Sequence, residues 1–256
     1  MKLNYILWVA FGAALVSLSA CKEEPIVEPA EPVTGDFLIE FEYQWAMNGE
    51  PFALNTELHH PMTGDYLTFS TFRHYVGHVE LQDPAGEWWT DTEAYALFDA
   101  AEPDALTLRV TGVPVGDYTD MRLVLGVDST HNVSGAQAGA LDPAQGMFWN
   151  WNTGYIMVKA EGTSPQSATG SFAYHLGGFA GDAKVQSHRE FALSDHGMLT
   201  VAKDAVPVCH FVANPAKLFH TYGSVANGEN IHMPGVNAGI MGQDFHQAVY
   251  LDHIHP

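Results

Sequence analysis

The feature that most constrains this chain is the run from Asp36 to Trp45. In it Phe37, Ile39, Phe41, Tyr43 and Trp45 alternate with Asp36, Leu38, Glu40, Glu42 and Gln44. A side-chain period of two fits a strand with one buried face and does not fit a helix, whose period is 3.6. Five large apolar side chains on one face require a second layer to cover them. Asn48-Gly49-Glu50-Pro51 supplies a turn, and Tyr66 to Leu81 predicts a second long strand. Further strands are predicted at Leu106 to Thr111, Tyr118 to Val127, Gly154 to Glu161, Ala168 to Leu176, Val185 to Leu193, Met198 to Val201 and Val206 to Val212. Turn signals such as Pro114-Val115-Gly116-Asp117 and Asp195-His196-Gly197 stand between them. The expectation is an all-β fold, an antiparallel β-sandwich-like domain with short C-terminal helices. Those helices are placed from the Asn214 cap and Pro215 to about Tyr222, and over Ala238 to Val249.

The N-terminus carries an address. Lys2, the apolar core Ile6 to Val16 and the lipobox Leu18-Ser19-Ala20-Cys21 read as a lipoprotein signal peptide over residues 1–20, too short an apolar core for a span of ~20 residues. Cleavage would leave Cys21 as an acylated N-terminus, and Lys22 after it favours transfer to an outer membrane, with the protein on its periplasmic or surface face. Residues 21–35 form an acidic tether held extended by Pro25, Pro29 and Pro32, and residues 36–256 form the β domain. With 30 acidic against 10 basic residues, the chain cannot neutralise phosphates, which excludes nucleic acid as a partner. Lipid chemistry commits Cys21, so Cys209 has no intramolecular disulfide partner. Its apolar surroundings, Val206 to Val212, favour a buried structural thiol over a thiolate ligand.

Histidine is the candidate chemistry, since 14 histidines stand beside only 10 Lys and Arg. Neutral imidazole suits copper, zinc, nickel or iron. His253 and His255 share a side if their segment is extended, about 7 Å apart along the chain. His74 and His78 fall on one face of the second strand but are too distant to chelate together unless the strand bulges. His59 and His60 diverge, so at most one of them joins a given site. Trp149 and Trp151 fall on one face of an extended segment, either as core packing or as an aromatic wall for a sugar, with Asn150 and Asn152 beside it. No HExxH helix, paired CxxC, Walker loop, dinucleotide fingerprint or GxSxG elbow is present.

The segment Gly146-Met147-Phe148-Trp149-Asn150-Trp151-Asn152-Thr153-Gly154-Tyr155 resembles the signature of the MbnP-like copper-binding protein family. Four further blocks occur in the same order. They are Phe41 to Phe52 with Leu67 to Leu81, Gly112 to Asn132, His175-Leu176-Gly177-Gly178, and Met233-Pro234-Gly235 to His255. The resemblance covers about Asp36 to His255 and implies a mainly β domain that binds copper through histidines. In some members a partner di-haem peroxidase oxidises a tryptophan to kynurenine, which joins the copper site. Tyr43 stands where many members have a histidine on the opening strand, and a phenol is a poorer Cu(I) ligand than imidazole. Trp45 is nearest the modified position but lies on the apolar face, where core packing is expected. His131, His175, His253 and His255 sit inside matching motifs and lead as metal ligands, followed by His74 and His78.

The resulting expectation is a lipid-anchored copper-binding protein without enzymatic turnover, acting in copper acquisition or handling. A non-metal interaction or carbohydrate-binding lipoprotein is the alternative, motivated by Trp149 and Trp151. No nucleophile or acid/base pair stands at a recognisable spacing to support an enzyme.

Overall fold

The alternation of the opening segment is realised as strand β1 (Thr34–Trp45), which buries Phe37, Ile39, Phe41, Tyr43 and Trp45 and turns the residues between them outward. A computed structural model describes residues 32–46, 49–149 and 154–256. The signal segment 1–20, Cys21 and most of the tether therefore lie outside the described residues, as do Asn48 and Trp151. The other main strands are β2 (Tyr66–Gln82), β3 (Trp88–Asp99), β4 (Thr107–Pro114), β5 (Asp120–Leu125), β6 (Val158–Thr163), β7 (Ser171–Leu176), β8 (Ser187–Ala192), β9 (Val208–Ala213) and β10 (Tyr250–His255). Among the described residues two α-helices, α1 (Ser129–Val133) and α2 (Val236–Gln247), interrupt them.

Two large sheets, beside two small two-stranded ones, form an all-β, sandwich-like fold among the described residues. In the five-stranded sheet, β1 lies between β9 on one edge and β4 followed by Glu50–Pro51 on the other, and β10 closes the outside of β9. The β1–β9 pairing is parallel, with Phe41 opposite Phe211. The sheet is therefore mixed, where a purely antiparallel one was expected. In the eight-stranded sheet, β2 is long enough to serve two partners along each edge. Glu57–His59 and then β3 pair on one side, β6 and then β5 on the other.

The core is aromatic and lies between β1 and β2. Phe41 approaches Phe98 at 4.7 Å between ring centroids, Tyr43 meets Phe72 at 5.2 Å and Trp45 meets Phe69 at 5.7 Å. Helix α2 closes one end, with Phe245 packed on Phe72 and His74. Asn214 does cap a helix, its side chain accepting from the Ala216 N–H, but the element is a short 3-10 turn, Pro215–Phe219, rather than a helix reaching Tyr222. Sequence patterning missed β3, because Phe98 is its only fully buried residue.

Candidate metal centre

The register of β9 and β10 builds a three-histidine cluster. His253 and His255 lie two residues apart on β10, so both project from one side, and their Nε2 atoms are 3.0 Å apart. His210 on β9 pairs directly with His253, and the two rings stack with centroids 4.4 Å apart. Alternation turns Cys209 and Phe211 into the core and His210 out. One ring nitrogen from each of His210, His253 and His255 lies within 4.8 Å of the other two, the only such grouping of His, Cys, Asp or Glu among the described residues. Metal–nitrogen bonds of about 2 Å set tetrahedral ligands about 3.3 Å apart, so small side-chain rotations suffice to close the cluster on one ion.

Carboxylates support two of the rings. Asp252 Oδ2 lies 2.7 Å from His253 Nδ1, which puts the proton on Nδ1 and directs the Nε2 lone pair at His255 Nε2. Glu40, the cross-strand partner of His210, places a carboxylate oxygen 3.6 Å from His210 Nδ1. Partial burial lowers the pKa of His210; Glu40 opposes the shift and the neighbouring His253 and His255 add to it. A neutral imidazole is the form that binds metal.

The remaining histidines named from sequence go elsewhere. His74 is buried in an aromatic cage, stacked on Phe98 and edge-on to Phe41, Tyr43 and Phe245, and neither ring nitrogen has a hydrogen-bond partner. A bulge in β2 between Gly77 and Val79, with His78 at φ 49°, separates His78 from His74. Gly77 is required there: a Cβ would fall 2.3 Å from the Tyr95 ring, which crosses the strand to reach Asp128. Instead of chelating with His74, His78 points Nδ1 at Asp128 from 3.3 Å.

His131 meets the same carboxylate. Asp128 caps α1 by accepting the His131 backbone N–H, and its Oδ2 also lies 2.8 Å from His131 Nδ1 and 2.7 Å from the Tyr95 hydroxyl. Burial alone would raise the Asp128 pKa, but the His131 N–H, Tyr95 and both imidazoles overcome it and hold the carboxyl well below the usual range. Asp128→Asn keeps the shape and loses the charge all these donors address. It is expected to cost about 2 kcal/mol in urea unfolding at pH 7. A loss under about 0.5 kcal/mol would show that the donors re-pair with solvent.

On β7, His175 bonds Glu161 through Nε2 at 2.6 Å and faces His232, a residue not singled out from sequence. His60 is buried with both ring nitrogens engaged, at the Ala216 carbonyl and the Thr63 N–H, which excludes it from a site. Burial pushes the Cys209 thiol up to about 12 and keeps it protonated, in line with a structural rather than a ligand role. Trp45 packs in the core as expected and donates its indole N–H to the His59 carbonyl. Trp149 is also buried, against the backbone of Gly177, so it offers no open face to a sugar. His210 and His232 were missed because each joins its partner only through strand register.

The chain resembles one solved structure, MbnP from Methylosinus trichosporium, at 17% identity over 73% of this chain and 78% of that one, with a TM-score of 0.46. No curated protein matches it significantly. The profile of one family, MbnP, matches residues 34–237, most of the described domain, and the chain belongs to the MbnP family.

Proposed function

We propose that this protein is an exported, lipid-anchored copper-binding protein whose site is the His210, His253 and His255 cluster. The observation that carries this reading is the convergence of three ring nitrogens within 4.8 Å on the outer face of the five-stranded sheet. Three imidazoles without a thiolate suit copper in preference to hard, oxygen-seeking cations. The lipobox at Cys21 and the acidic tether would hold the domain at a membrane surface, with the outer membrane as its location. The net charge of −20 would draw cations to the domain. The protein binds and passes on its metal without turnover, in copper acquisition or handling. A di-haem peroxidase is the protein partner that the family resemblance supports. The carbohydrate-binding alternative rests on Trp149 and Trp151 together, and the burial of Trp149 takes away one of those two faces.

Copper titration of metal-free protein tests the reading. A variant with His210, His253 and His255 all replaced by alanine is expected to lose at least about 100-fold in affinity for one equivalent of copper. Unchanged affinity would remove the cluster from the function. Intact mass of protein from its native membrane would report the lipid on Cys21, and an unlipidated mature chain would rule out the anchor.

A further inference from the structure

With 30 acidic residues against 10 basic ones, an arginine that has no carboxylate beside it is an exception in this chain. Arg73 pairs with Asp99, Arg109 with Asp36 and Arg122 with Glu190. Arg189, on β8, has no carboxylate partner among the described residues. Its two terminal nitrogens donate instead to the backbone carbonyls of His246 and Val249, between the end of α2 and the start of β10. Partial burial lowers its pKa, and no neighbouring carboxylate opposes the shift. The carbonyls fix the guanidinium plane but bring only partial charge, and they leave further N–H donors on the fork. A half-buried, oriented and uncompensated cation has been built into an acidic protein.

The surroundings of Arg189 give that cation a use. It lines an open groove of about 520 Å³ where the ends of β1 and β9 meet α2, a volume suited to a small organic molecule. Lys217, from the Pro215–Phe219 turn, lines the same groove and adds a second full positive charge. Val212 and Val249 supply apolar surface beside them. Asp244 is also on the wall, its Oδ2 accepting the Thr221 N–H at 2.7 Å. One carboxylate in the lining disfavours a multiply charged anion such as phosphate more than a singly charged one. A planar guanidinium fork matches the two oxygens of a carboxylate.

We propose that this groove is a binding site for a small organic monocarboxylate, held by Arg189 through the carboxylate, favoured by the charge of Lys217 and packed with its apolar body on Val212 and Val249. The site shares no residue with the His210, His253 and His255 cluster and stands whether or not that cluster binds copper.

The test is a calorimetric titration of the whole chain with benzoate, benzylamine and inorganic phosphate. Benzoate and benzylamine have the same apolar body and opposite charge. About one equivalent of benzoate is expected to bind, at least about 10-fold more tightly than either of the others. Arg189→Gln should weaken benzoate at least about 10-fold, and Lys217→Gln should weaken it several-fold. Benzoate should also shift the Arg189 Nε–H resonance in ¹⁵N spectra of the unaltered protein, a readout that does not depend on the variant folding. An unmoved Arg189 resonance, or no benzoate bound, would overturn the site. Benzoate affinity unchanged by Arg189→Gln at an unchanged melting temperature would do the same. Benzylamine or phosphate binding as tightly as benzoate would overturn the assignment to a monocarboxylate.

Discussion

Acidification from pH 6.5 towards 3 is expected to destabilise the domain by several kcal/mol through two buried histidines. His74 and His246 are both fully buried, and burial is the main cause that lowers each pKa to about 3. His246 lowers His74 further; Arg189 lowers His246, against a hydrogen bond to the Val185 carbonyl that raises it. Their folded pKa values lie below the unfolded value of about 6.5, so the unfolded chain binds protons first as pH falls. The stability these neutral rings contribute is complete above pH 6.5 and is lost progressively between 6.5 and 3. At about 1.4 kcal/mol per unit, the loss is on the order of 4 kcal/mol for one ring.

The environment of His74 provides the control. Its ring nitrogens have no partner and its neighbours are aromatic, so His74→Phe replaces an unsatisfied polar ring with one that suits the cage. The variant is expected to be about 1 kcal/mol more stable at pH 7 and to lose less on acidification. Urea unfolding at pH 7, 5.5 and 4.5 measures both. Equal slopes against pH for the two proteins would show that His74 does not govern the acid response.

Phe41→Ala is expected to cost about 3 to 5 kcal/mol, since it opens a cavity where the two sheets meet. Phe41 is 2 % exposed, and its ring touches Phe211 within its own sheet and Phe98 and His74 across the core. These neighbours sit on separate strands that cannot collapse together into the void. A domain of this size loses about 2 to 4 °C of melting temperature per kcal/mol, so a drop on the order of 10 °C should appear in a thermal melt. A drop under about 2 °C would mean that Phe41 is not central to the packing.

Some of the architecture was legible in local pattern. The five inward residues of β1 could be named because burial of one face writes a period of two directly into the chain. The same parity placed His253 and His255 on one side. In β3, half-buried side chains carry no such pattern, and the strand exists through its pairing with β2. Parity also failed for His74 and His78, because one inserted residue in a bulge reorients everything beyond it.

The sequence by itself determined the all-β class, the buried face of the opening strand, the inert Cys209 and the wealth of imidazole. Each of these is a property of neighbours along the chain. Only the tertiary structure decided which imidazoles meet. His210 reaches His253 across the β9–β10 register, and His232 reaches His175 through a parallel pairing. The reason is physical. Strand register is set by the packing of whole sheets, and a contact between residues more than forty positions apart leaves no period in the sequence of either strand.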